Sequence, residues 1–120
     1  MPNYVDAFVI PIPKKKIAAY RKMAALGCKV WMDHGALDYK ECIGEDLKAP
    51  FALPFPKGIR AKPGETVVFS WILYKSRAHR DRTNQAVMKD PRLAAFMNPK
   101  DMPFDVKRML YGGFEVLVGA

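Results

Sequence analysis

The chain has no apolar run near the ~18–20 residues that a membrane-spanning helix requires, so none of its 120 residues reads as a membrane span. Histidine and cysteine are scarce. His34 and His79 fall on different elements, and Cys28 and Cys42 lack Cys-x-x-Cys spacing, which leaves no metal-ligand pattern. No glycine-rich phosphate loop occurs, because the pair Gly112-Gly113 lies inside a strand pattern with no helix after it. There is no nucleophile elbow either, and the expectation is a protein without a cofactor. Acidic residues are few, 12 against 20 basic ones, and the net charge of +8 suits anionic partners or simple solubility. The opening MPNYVDAFVIPIPKKK has no basic region ahead of its apolar stretch, and Pro11 and Pro13 interrupt that stretch. This argues against a signal peptide and predicts a cytoplasmic location with both thiols free.

What is present is a globular composition, half apolar and 27% charged, in a chain long enough for one core. A single domain over 1–120 is expected. Alternation over 4–12 predicts a strand with Tyr4, Asp6, Phe8 and Ile10 on one face, ended by Pro11 and Pro13. Over 14–33, Ile17, Tyr20, Ala24, Cys28 and Trp31 form an apolar helical stripe, with Gly27 marking close packing. Residues 36–44 read as an edge strand, Leu37, Tyr39, Glu41 and Ile43 on one face and Asp38, Lys40 and Cys42 on the other. The segment 45–64 holds Pro50, Pro54, Pro56 and Pro63 among Phe51, Leu53 and Phe55. It reads as a flap over a pocket, an arm over a partner subunit, or a locally packed loop. Residues 65–75 are the strongest strand, and Ser76 caps a helix that runs to about Lys89, stopped by Asp90-Pro91. An irregular stretch is expected over 92–107 and a last strand over 108–118, with Gly112-Gly113 marking a bulge or a close backbone approach.

The order strand, helix, strand, strand, helix, strand predicts an α+β, ferredoxin-like βαββαβ fold: a four-stranded antiparallel sheet with both helices on one face. In such a sheet the uncovered face should be polar in a monomer. Here one face is predicted to carry Phe8, Ile10, Phe69, Trp71, Met109, Tyr111 and Leu117. The other carries Val5, Val9, Val68, Ile72, Leu110, Phe114 and Val116. Two apolar faces imply a second layer. The simplest is the sheet of an identical subunit, and the alternative is the proline-rich loop.

Candidate functional residues are polar groups at positions expected to be buried. Asp6 and Glu115 alternate with aromatic or apolar neighbours. They serve either as acid/base or ligand-orienting groups in a pocket or as members of a structural ion pair. On the second helix Arg80, Asn84 and Met88 recur every four residues, and if that stripe meets the sheet a polar cavity must receive it.

The runs YVDAFVIPIP (4–13), FSWILYKSRAHRDR (69–82), VMKDPR (87–92) and MPFDVKRMLYGGFEVL (102–117) resemble the YbaA-like family of bacterial proteins of unknown function. The resemblance covers nearly the whole chain, least well between Leu47 and Pro63. It implies the dimeric α/β-barrel variant of the fold, with two sheets packed face to face. That wider superfamily includes cofactor-free monooxygenases and small-molecule isomerases, and such an analogy does not fix function.

Two functions compete. One is a sheet–helix pocket for a small anionic or enolic molecule, lined by Trp71, Arg80, Asn84 and Tyr111 with Asp6 or Glu115 as base. The other is RNA binding, with Tyr4, Phe69 and Trp71 stacking on bases or the basic edge Lys75, Arg77, Arg82 holding phosphates.

Overall fold

The structure, a computed structural model, describes residues 1–94 and 98–120. Four strands, β1 (Tyr4–Pro13), β2 (Asp38–Ile43), β3 (Glu65–Tyr74) and β4 (Leu110–Glu115), form one antiparallel sheet in the order β2-β3-β1-β4. Helix α1 (Ile17–Asp33) follows a 3₁₀ turn at Lys14–Lys16. Helix α2 (Phe55–Gly58) is a single turn in the proline-rich segment, and α3 (Arg77–Met88) follows β3. The α+β ferredoxin-like fold is therefore observed, as one open sheet with α1 and α3 on one face. The stretch 92–107 contains the end of a short helix, α4 (Pro91–Ala94), and two 3₁₀ turns, and its positions 95–97 lie outside the described residues. No helix among the described residues is long and apolar enough to cross a membrane.

Strand β1 runs through Pro11 and ends at Pro13. β4 pairs only with Tyr4 to Val9 of β1, so from Ile10 onward β1 has a neighbour on one side only. Two prolines spaced by two present their missing N–H groups to the same side, where no ladder bond is lost. Ser76 caps α3, its hydroxyl accepting from the His79 backbone N–H at 3.1 Å.

The pairing register corrects the expected faces. Asp6 lies opposite Ile72, Phe8 opposite Ser70 and Tyr111, and Ile10 opposite Val68. Residues opposite each other in a ladder share a face. The helix-covered face therefore carries Tyr4, Asp6, Phe8, Ile10, Val68, Ser70, Ile72 and Tyr74. Phe69 and Trp71 belong to the uncovered face with Val5, Val9, Leu110 and Phe114. Within one chain Trp71 thus cannot share a lining with Arg80, and Tyr4 cannot form a stacking platform with Phe69 and Trp71. Alternation within a strand gives two faces but not which face matches which across strands.

Both faces are nevertheless apolar, as the composition of the strands predicts. The core lies beneath α1 around Ile10, Ile12, Tyr20, Ala24 and Val68, and two further groups, one with Ile72 and Tyr74 and one with Val30, Val87 and Leu93, both pack against Trp31. The uncovered face leaves Phe69, Leu110 and Phe114 about half exposed. The proline-rich loop does not cover it. Phe55 meets Phe69 edge-on with ring centroids 6.4 Å apart, while Phe51 is 91% exposed and Leu53 68% exposed. The pair Gly112-Gly113 marks a close approach: a Cβ on Gly113 would collide with the Tyr4 ring that lies across it.

Candidate functional site

Three of the predicted site residues converge on Asp6. The Arg80 Nη1 donates to Asp6 Oδ1 at 2.7 Å, the Tyr111 hydroxyl donates to the same oxygen at 3.0 Å, and Asn84 Nδ2 approaches Oδ2 at 3.4 Å. The stripe on α3 does meet the sheet through Arg80, Thr83, Asn84 and Val87, whereas Met88 points to solvent. Asp6 is 2% exposed, and an unpaired carboxylate there would be costly. Burial works against the charge on Arg80, but Asp81 and Asp6 outweigh it and hold the guanidinium firmly protonated. Its Cζ also lies 4.9 Å from the centre of the Tyr4 ring. Asn84 carries the network onward, its Oδ1 accepting from Trp31 Nε1 at 3.0 Å and from the Tyr74 hydroxyl at 3.1 Å. Burial and the Asp6 charge raise the Tyr74 and Tyr111 hydroxyls above their ordinary pKa, so both remain donors.

Glu115, expected to be buried, is exposed, because it is the last residue of an edge strand beyond the reach of α3. Lys75, Arg77 and Arg82 are exposed around the start of α3. His34 is a turn histidine engaged with Asp90 at 2.8 Å. Cys28 and Cys42 are free thiols.

The cavity under the helices lies elsewhere. A space of about 150 Å³ between α1 and the sheet is lined by Phe8, Trp31, Phe104 and three methionines, Met23, Met102 and Met109, with Tyr20, Tyr39, Glu41 and Ser70 as its polar members. Asp6, Arg80, Asn84 and Tyr111 do not line it. They stand behind its wall, through the Phe8–Tyr111 ring contact at 5.1 Å and the Trp31–Asn84 hydrogen bond. At the opposite end, Glu41 is clasped by two phenols. Its Oε1 accepts from the Tyr20 hydroxyl and its Oε2 from the Tyr39 hydroxyl, each at 2.7 Å. Burial, then the Glu41 charge, push both tyrosines well above their ordinary pKa and keep them as donors. Gly27 makes this possible, since a Cβ there would stand 3.0 Å from the Tyr39 oxygen. The same Tyr20, Ala24, Tyr39 and Glu41 also border an outer groove of about 360 Å³ between α1 and β2, rimmed by Arg21 and Lys40.

The clasp is not among the sites that sequence reasoning singles out. Its signal is a glutamate between Tyr39 and Ile43 on the apolar face of a strand, facing a tyrosine on the apolar stripe of the helix.

The chain belongs to the DUF1428 family of proteins of unknown function, which it matches over residues 3–106. It is 44% identical over 116 residues to "Uncharacterized protein YbaA" of Escherichia coli strain K12, covering 97% of both chains, and equally to that of Shigella flexneri. Among solved structures it is similar to a dimeric ferredoxin-like protein from an uncultured marine organism. There the TM-score is 0.60 at 15% identity, with all of both chains covered. It is also similar to an uncharacterized NIPSNAP domain protein from Burkholderia xenovorans, with a TM-score of 0.55 at 16% identity and coverage of 98% and 94%. At these identities the likeness shows the fold alone.

The network around Asp6 yields a test of its structural weight. Arg80→Ala leaves the Asp6 charge buried without its main partner and should cost about 3–5 kcal/mol in urea unfolding. The double variant Asp6→Leu/Arg80→Leu, which removes both charges, should be more stable than Arg80→Ala alone. Additive losses would show that the two residues do not act as a pair.

Proposed function

We propose that this family member is a homodimer that binds a small molecule in the cavity between α1 and the sheet. The cavity carries the reading. A recess of about 150 Å³, partly open to solvent, lies among aromatic and methionine side chains beside a carboxylate. That combination is the usual make-up of a ligand pocket, apolar walls with a few convergent polar groups. The polar network around Asp6 supports the end wall, holding Trp31 and Phe8 in place through Asn84 and Tyr111. The guanidinium on which a preference for anionic or enolic ligands rested is engaged with Asp6, Tyr111 and Asp81 and does not reach the cavity.

The uncovered sheet face supports the dimer. Val5, Val9, Phe69, Trp71 and Leu73 present no charge along β1 and β3, and a second copy of the same face buries them across a two-fold axis. Phe55, which touches Phe69, extends this patch onto the loop. The similarity to a ferredoxin-like protein described as dimeric supports a homodimer.

Toluene, which is sized for such a space, should bind the protein in a ligand-observed NMR titration. Ala24→Leu, which fills the cavity, should weaken it at least tenfold, and equal binding by the variant would contradict the cavity reading. Separately, Trp71→Glu should convert the protein to monomers in sedimentation equilibrium. A wild-type protein that sediments as a monomer would remove the dimer from the proposal.

A further inference from the structure

The charge arrangement around the cavity points to a class of ligand. Glu41 is the one ionisable carboxylate in the cavity lining, and no lysine, arginine or histidine lines it among the described residues. In a chain with 20 basic residues and a net charge of +8, this carboxylate has no cationic partner within 4.0 Å among the described residues. Its partners are two phenols, and each supplies one hydrogen bond. A carboxylate oxygen accepts two, so lone pairs on both oxygens remain for a donor from the cavity. The walls add aromatic faces from Phe8, Trp31, Phe104, Tyr20 and Tyr39, which attract a cation through their quadrupoles, and polarizable methionine sulfur.

We propose that the ligand is a compact primary amine bound as its ammonium ion, with the nitrogen on Glu41 between Tyr20 and Tyr39 and an apolar body under α1. This rests on the cavity reading above and deepens it. The size follows from the volume: a cavity of about 150 Å³ accommodates a body like benzene, so a ring or branched chain of about six to eight heavy atoms fits and a nucleotide or a fatty acid does not. The sign follows from the lining. An anion would meet Glu41 with no positive group to offset it, and a neutral hydroxyl would gain a hydrogen bond without the charge.

The access route follows from shared walls. Tyr20, Ala24, Tyr39 and Glu41 border both the cavity and the outer groove, and Glu41 is itself exposed, so a ligand reaches the cavity from solvent beside the clasp. Glu41 stands on edge strand β2 and turns outward without disturbing the ladder. Arg21 borders the outer groove and not the cavity, while the Lys40 ammonium is paired with Asp38 over the Trp71 ring on the other face of the sheet. Arg21 opposes an entering cation at low ionic strength, and salt screens it.

The test is calorimetric or NMR titration of the purified protein at neutral pH with four probes of one shape: benzylamine, benzyl alcohol, toluene and benzoate. The proposal expects benzylamine to bind at least tenfold more tightly than benzyl alcohol or toluene, with benzoate weakest. Glu41→Gln should bring benzylamine to the level of benzyl alcohol while leaving toluene unchanged, and Tyr39→Phe should weaken benzylamine several-fold with toluene again unchanged. Toluene binding with no preference for benzylamine, or a preference for benzoate, overturns the amine and leaves the cavity reading standing. Failure of all four probes to bind the wild-type protein overturns both.

Discussion

A charge withdrawn from water in the middle of a sheet must be met by an opposite charge, and the position of α3 is set by that requirement. Asp6 sits on a central strand with its side chain under the helices. Arg80 and Asn84 projecting from α3, with the Tyr111 hydroxyl from β4, supply the donors that keep it there. Once α3 is so placed, Val87 packs against Val30 and Leu93, Tyr4 lies across Gly113, and Trp31 is held through Asn84. The pairing also divides the charges of the molecule by task. Arg80 and Asp6 neutralise each other within the framework, and Glu41 is left as the charged group that lines the cavity between α1 and the sheet.

The second constraint is the one-sided sheet. Two helices cover one face, and β1 and β3 alternate apolar residues onto both. At ~25 cal/mol per Å², the exposed rings and aliphatic groups of the other face favour burial against a like surface. The proline-rich loop, with Phe51 and Leu53 in solvent, does not supply that cover within one chain. The cavity and the uncovered face lie on opposite sides of the same strands, so a ligand in the one and a subunit on the other would be separated by one sheet thickness.

Much of this is legible in the sequence because it depends on local pattern. The order of elements, the edge position of β2, the Ser76 cap and the need for a polar partner for Arg80 and Asn84 all follow from periodicities of two and 3.6 residues. What depends on how strands are matched is not legible in that way. Alternation alone puts Trp71 on the wrong face because register across β1 and β3 is a tertiary property. It buries Glu115 because alternation does not show that the residue ends an edge strand. Pro11 lies within a strand because β4 does not extend far enough to pair with it. Glu41 is a functional candidate only once Gly27 has let α1 come down onto Tyr39 and brought Tyr20 to the same carboxylate.

Side-chain carboxyl ¹³C shifts read the division of charges between Asp6 and Glu41 directly. In a titration of labelled protein with benzylamine, the Glu41 carboxyl resonance should move with ligand occupancy while that of Asp6 stays fixed. Movement of the Asp6 resonance with Glu41 unchanged would reverse the two roles, making the Asp6 network the binding site and the Glu41 clasp a structural contact.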